Sequence, residues 1–390
     1  VRVGVDTDEY PVGQSVDLGD YCILPGFVNS HTHLEFSDRE SPVAASGSFP
    51  EWLAAVVRSR PATSPTSSEA QAAASIERGL EESSRLGVQY VLDVVHPLPS
   101  AQGLGPAAAE QPFHLPFAEI ISTKVGRARQ TWRAALDLYR RLRASEAERD
   151  PPFGLSPHAP YTTTGYVVRK AAERCQLAGW PIMMHLAESR EELSWIENGG
   201  GSMQEFLEGV VGEAGLPTRD RRSLAQYIED LCRAPFAFII HGNYLNQEAI
   251  DMLAKYRSKA AVVYCPRTHQ FFGHPPHPLL ALRRHGIQVT LGTDSRASNP
   301  DLSILEEARL VRRLFPELTA DAILEMITSV PQAALSRWLP DRPRWTVVPC
   351  EESRPNRVLE AILEDHRPAT TLDRLLRSID GIRSDSFGHS

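Results

Sequence analysis

From residue 24 to residue 292 the chain repeats one pattern: a short apolar run rich in β-branched residues, then a longer stretch compatible with a helix. After the run that leads into His31, strand candidates fall at 88–95, 113–122, 153–158, 181–186, 236–241, 260–265 and 288–292. Repeated strand–helix alternation implies a parallel sheet. Eight such units over about 270 residues fit a (β/α)8 TIM barrel better than an open doubly wound sheet. No Gly-rich dinucleotide turn follows any of the strand candidates, so the open sheet lacks its usual mark. Helices are expected at 69–86, stopped by Gly87, and at 129–149 and 164–178. Residues 61–68, rich in Pro, Ser and Thr, read as a loop. Segments 1–20 and 341–390 read as a small β appendage, including a strand candidate at 345–350, around a catalytic barrel at 21–340.

In such a barrel the active site lies where the strands end, so polar residues at strand ends carry the functional reading. The first strand runs through Leu24-Pro25-Gly26-Phe27-Val28-Asn29-Ser30 into His31-Thr32-His33. Side chains alternate along an extended chain, so His31 and His33 face the same way and can grip one ion. Imidazole is the commonest protein ligand for such ions and suits zinc and iron. His185 ends the fifth strand, His241 the sixth and Asp294 the eighth. A lone strand-end histidine is usually a satisfied structural residue. Four histidines and an aspartate on one rim are much harder to place by chance.

In order and spacing these five residues resemble the amidohydrolase superfamily, whose first barrel strand carries Pro-Gly-hydrophobic-hydrophobic-(Asp/Asn)-x-His-x-His. The resemblance covers about residues 18–340. His185-Leu-Ala-Glu188, His241-Gly-Asn243 and Leu291-Gly-Thr-Asp-Ser295 are similar to the mononuclear deaminase and chlorohydrolase branch, including its aminodeoxyfutalosine and S-adenosylhomocysteine deaminases. Binuclear members end the fourth strand in a bridging carbamylated lysine. This chain has Ser156-Pro157-His158 there, which implies one metal ion. The resemblance implies that His31, His33, His185 and Asp294 hold a divalent transition metal, zinc with iron as the alternative. A metal ion can lower the pKa of its bound water to about 7. Asp294 then serves as base, His241 orients the attacking oxygen, and Glu188 shuttles a proton to the ring and leaving group. The bland reading of Glu188 is a charged helix start shared with Arg190 and Glu191. By the same resemblance His158 contacts sugar hydroxyls, the alternative being a loop histidine held locally. Trp52 either stacks on a purine or packs.

Relatives often carry Cys-Pro-x-Ser-Asn after the seventh strand, whereas this chain has Cys265-Pro266-Arg267-Thr268-His269. Arg267 and Arg296 either face an anionic substrate group or pair with acidic neighbours such as Asp301. The formal net charge of −8, with no long basic run, argues against a nucleic-acid polymer as partner. The five cysteines are scattered and form no C-x-x-C, which excludes a zinc ribbon and the cytosine-deaminase type of zinc fold and argues against a disulfide framework. No apolar run is long enough to span a membrane and no secretory signal is visible, so a cytoplasmic location is expected. The expected function is hydrolytic deamination of an aminated heterocycle, an adenosine-type nucleoside with a carboxylate-bearing 5′ substituent fitting the three pocket features. The rival readings are a chlorohydrolase or cyclic-amide hydrolase of the same superfamily, and a non-catalytic metal-binding protein that keeps the fold. A small molecule is the expected partner, and self-association as a homo-oligomer stays open.

Overall fold

The computed structural model describes residues 18–386, apart from 45–46, 60–64, 97–110, 124, 146–151, 213–221, 353 and 355–356. The apolar runs form eight parallel strands, hydrogen-bonded in chain order. A first strand of a separate sheet, β1 (Tyr21–Pro25), precedes them. The barrel strands are β2 (Phe27–Thr32), β3 (Val88–Val95), β4 (Phe113–Ile120), β5 (Gly154–Pro157), β6 (Ile182–Leu186), β7 (Ala237–His241), β8 (Ala260–Tyr264) and β9 (Gln288–Leu291). Each lies within or beside its expected run, so the TIM barrel read from the alternation is the fold observed.

These strands are mostly apolar and buried along nearly their whole length because both of their faces are covered. On β6 and β7, Met183, Phe238 and Ile240 join one buried cluster with Leu92, Phe117 and Val263. The alternate residues Ile182, Met184, Ala237 and Ile239 join a second, larger cluster that includes helix residues such as Val168, Ile228 and Leu253. Barrel interior and strand–helix layer are thus separated by the period of two along each strand.

The barrel closes at an isolated parallel bridge between Thr32 and Asp294. There the Asp294 N–H donates to the His31 carbonyl at 3.0 Å. Gly292 makes this approach feasible, since a Cβ on it would lie 2.8 Å from His31 Cβ and 3.0 Å from Val263 Cγ1. The register of β2 against β3 breaks between Asn29 and Thr32, an irregularity of the kind that re-aims side chains beside active sites.

The small β appendage is a three-stranded antiparallel sheet in the order β1, β10 (Trp345–Pro349), β11 (Thr370–Thr371). Its boundary differs from the one expected at residue 20/21, because Tyr21–Pro25 pairs with Trp345–Pro349 and belongs to the appendage. The chain crosses between sheets at Gly26, whose N–H donates to Arg344 O at 2.8 Å. A Cβ there would come within 2.8 Å of Gln89 Cβ and 2.9 Å of that same carbonyl oxygen. The strand pieces expected in residues 1–17 lie outside the described residues.

The expected loop at 61–68 is also shortened, because the second helix begins at Pro65 and runs to Arg85. Proline suits the first helical position, where its missing N–H would have no partner. The helix expected at 129–149 spans Val125–Ser145. The polar insert after β6 folds into three helices, Arg190–Asn198, Ser202–Val211 and Leu224–Leu231. Among the described residues no helix is long and apolar enough to cross a membrane.

The seam makes the first prediction. Gly292→Ala should cost about 1–3 kcal/mol of stability, the usual range for overpacking a tight site. Chemical denaturation measures it, and an unchanged midpoint would show that the seam has room.

Candidate metal centre and active site

The five strand-end residues converge as expected. His31 is fully buried, and neither of its ring nitrogens has a hydrogen-bond partner. Its Nε2 lies 3.7 Å from Asp294 Oδ1, too far for a hydrogen bond. His33 Nε2 lies 3.8 Å from that same oxygen and 3.2 Å from His185 Nε2. Ligand atoms ~2.0–2.1 Å from a tetrahedral ion sit about 3.3–3.4 Å apart. The observed spacings straddle that value, and a buried imidazole with two bare nitrogens is costly unless something binds it. His31, His33 and Asp294 form one group able to hold a metal ion, and His31, His185 and His241 form an overlapping one. The residues present therefore fit a metal ion. His185 Nδ1 lies 3.0 Å from the His158 carbonyl oxygen. A proton on Nδ1 makes that a hydrogen bond and leaves Nε2 as the lone-pair nitrogen facing His33, the usual outer-shell arrangement for a ligand histidine.

The backbone around this cluster is special. Among the described residues three that are not glycine have left-handed φ: Ala187 at 58°, His241 at 67° and Asp294 at 58°. They stand at the ends of β6, β7 and β9. Such residues persist only where their surroundings hold them. Around His241 the holder is His277, whose Nε2 sits 2.9 Å from the His241 carbonyl oxygen. Asp294 is held by the seam bond to His31, and its Oδ2 accepts from Ser298 Oγ at 3.1 Å. Burial works to raise the Asp294 pKa, but His31, His241 and His33 outweigh it and keep the carboxyl below its ordinary range.

Glu188 stands on the opposite wall, its Oε1 3.3 Å from His241 Nε2. Burial, then the charges of Asp294 and Glu192, push its pKa well above the ordinary carboxylate value. The pKa values of two carboxyls in one site are thus driven apart, Asp294 down and Glu188 up, which is the pattern of a base facing an acid. Glu192 was not singled out from the sequence. It is fully buried, and burial raises its pKa to about 7 against the pull of backbone amides that donate to it. A second glutamate four residues after Glu188, one helical turn on, was the available signal.

The pocket residues divide. The His158 ring centre is 5.0 Å from that of His185. Its Nδ1 is 2.6 Å from Thr162 Oγ1, and its Nε2 is 3.9 Å from Glu119 Oε1. That brings Glu119, next to the last residue of β4, to the same rim. Trp52 packs instead of offering a free stacking face. Its ring contacts Phe49 and Phe272 at 6.0 and 4.9 Å, and its N–H donates to Val43 O. The arginines also depart from the anion-binding alternative. Arg267 donates to Glu307 at 2.7 Å and to Asp301 at 2.8 Å. Arg296 donates to both carboxylate oxygens of Glu82, at 3.0 and 2.8 Å. Both guanidinium groups are committed to structural carboxylates.

Comparison with known proteins identifies the family. A family model described as the amidohydrolase family matches residues 22–337. An aminodeoxyfutalosine deaminase from Nitratiruptor sp. is 24% identical over 298 residues, covering 76% of this chain and 69% of its own length. A 5-methylthioadenosine/S-adenosylhomocysteine deaminase from Pyrococcus furiosus is 26% identical over 356 residues, covering 83% and 73%. Among solved structures, the Helicobacter pylori aminofutalosine deaminase in complex with methylthio-coformycin superposes with a TM-score of 0.73 at 21% identity, covering 90% of this chain and 85% of that one. The family match takes in every strand of the barrel and each of the residues gathered at its mouth, and the chain belongs to the amidohydrolase family.

Proposed function

We propose that the protein is a metal-dependent hydrolytic deaminase acting on an adenosine-type nucleoside. The observation that carries this is the Glu188–His241 pair, set against the cluster of His31, His33, His185 and Asp294. A protein that only stores metal has no use for a buried carboxyl set 3.3 Å from His241 at that point. The names of the relatives, aminodeoxyfutalosine deaminase and methylthioadenosine/S-adenosylhomocysteine deaminase, support the same reading.

In this reading His31, His33, His185 and Asp294 are the ligands of one ion, zinc with iron as the alternative. Such an ion supplies Lewis acidity that brings water's pKa down to about 7. Asp294 accepts the proton of the attacking water at its carboxylate, which Ser298 steadies through Oδ2. His241 orients the attacking oxygen. Glu188, whose pKa is raised by burial and by Asp294 and Glu192, gives its proton to the ring nitrogen beside the reacting carbon. The new C–O bond forms and the exocyclic C–N bond breaks: the amino group takes the proton that Asp294 accepted and leaves as ammonia, and the second proton of the water returns to Glu188, so both carboxyls are restored. His158 Nε2 and Glu119 are a donor and an acceptor suited to the two hydroxyls of a ribose. With Arg267 and Arg296 committed elsewhere, the anionic 5′ substituent loses its named partners, and the substrate class stays at adenosine-type nucleosides. Five unpaired cysteines fit a reducing compartment such as the cytoplasm.

Two measurements test this reading. Glu188→Gln keeps the size and removes the proton, so the metal should stay bound while kcat falls at least ~10²-fold. Near-normal turnover in that variant would remove Glu188 from the mechanism. Ammonia release should be faster from adenosine, methylthioadenosine or S-adenosylhomocysteine than from free purines or pterins. His158→Ala should then lower kcat/KM for nucleosides by the equivalent of about 0.5–1.5 kcal/mol, the range for an ordinary hydrogen bond, and leave free bases nearly unaffected. A metal-loaded enzyme that turns over free bases or a chlorotriazine but no nucleoside would contradict the nucleoside assignment.

A further inference from the structure

The wall that presents Glu188 is assembled around a second, fully buried carboxyl. Glu192 Oε1 accepts the Ala187 N–H at 2.8 Å, and Glu192 Oε2 accepts the Glu188 N–H at 2.8 Å. The carbonyls of the same two residues are held from the other side. Tyr244 N–H donates to Ala187 O at 3.0 Å, and Asn243 Nδ2 donates to Glu188 O at 3.0 Å. Both amide hydrogens and both carbonyls of the dipeptide are therefore engaged, by partners from the following helix and from the loop after β7.

This arrangement is more than a helix cap. The helix Arg190–Asn198 already has one, since Ser189 Oγ accepts the Glu192 N–H at 3.1 Å. In a capping box the third helical residue returns its side chain to the N–H of the cap residue itself. Glu192 occupies that third position, yet its carboxyl reaches past Ser189 to the two residues before it. One of these, Ala187, has the left-handed φ of 58° that an alanine does not adopt unaided. The turn at Ala187 sets the direction in which the Glu188 side chain leaves the strand end. That direction brings its Oε1 to 3.3 Å from His241 Nε2.

We propose that Glu192 is a positioning residue for the proton donor: it clamps the Ala187–Glu188 backbone and thereby aims the Glu188 carboxyl, without itself touching the substrate. The proposal rests on the reading of Glu188 as that donor. A misplacement of about 1 Å in a reacting group can cost on the order of 10²-fold in rate. Glu192→Gln retains the size but sets an NH2 group, which cannot accept, against one of the two amide hydrogens.

The test is a double-mutant cycle on metal-loaded enzyme, comparing Glu192→Gln, Glu188→Gln and the double variant by kcat, KM and metal content. Glu192→Gln should lower kcat about 10²-fold, with KM and bound metal little changed. In the Glu188→Gln background the same substitution should lower kcat by no more than about threefold, since there is no proton donor left to aim. If Glu192→Gln alone does not fold, the cycle runs in an Ala187→Gly background, where the left-handed turn carries no steric penalty. Equal losses in both backgrounds would show a general structural role and overturn the proposal. A slow Glu188→Gln enzyme beside a fast Glu192→Gln enzyme would overturn the proposal alone. A fast Glu188→Gln enzyme would overturn the proton-donor reading and this proposal with it.

Discussion

The mouth of this barrel depends on the bridge that closes it, where the Asp294 N–H meets the His31 carbonyl at 3.0 Å. That one contact joins the last strand to the first. It also sets a carboxylate beside two imidazoles that come from the opposite end of the barrel sequence. Gly292 permits the approach by having no Cβ, and the left-handed turn at Asp294 directs its side chain inward. The other histidines arrive on strands whose positions follow from the parallel order, so once the seam closes the donor set is assembled.

The energetics of the assembled site run against folding. Left-handed conformations at Ala187, His241 and Asp294 cost roughly 1–3 kcal/mol each. The chain also buries three imidazoles at this site, His31, His185 and His241, and two carboxyls whose pKa values shift in opposite directions. Polar clamps offset part of this: Glu192 for Ala187, His277 for His241, and Ser298 with the seam bond for Asp294. A ligand that binds only the folded chain offsets more, by an amount that grows with the logarithm of its concentration over Kd. The donor spacings of 3.2–3.8 Å among His31, His33, His185 and Asp294 fit a metal ion in that part.

The barrel and its donors were legible in the sequence for one reason. Strand periodicity is local, and the polar residues that end a strand are adjacent to it in the chain. What escaped the sequence depends on partners that are distant in the chain or on backbone turns. For Arg296 the sequence leaves open an anionic ligand or an acidic neighbour, and its partner Glu82, brought to 2.8 Å, lies 214 positions earlier. For Arg267 the pairing with Asp301 is one of the two readings, but Glu307, 40 positions on, which takes both its side chain and its amide, is out of local reach. Trp52 looks like a stacking platform because nothing local reveals Phe272 against its ring. The sheet boundary slipped from residue 20 to Gly26 because β1 is completed only by a strand from the far end of the chain. Glu192 was passed over since its role depends on a left-handed alanine, and alanine carries no mark of that conformation.

The central claim is that one metal ion, held by these four donors, is required by the chemistry at this mouth. Elemental analysis during stepwise chelation of the active enzyme tests it most directly. About one transition-metal ion per chain is expected at full activity, as for a site that keeps an open position, with activity falling in proportion to the ion removed. Full activity in metal-free protein, or a requirement for two ions per chain, would contradict it.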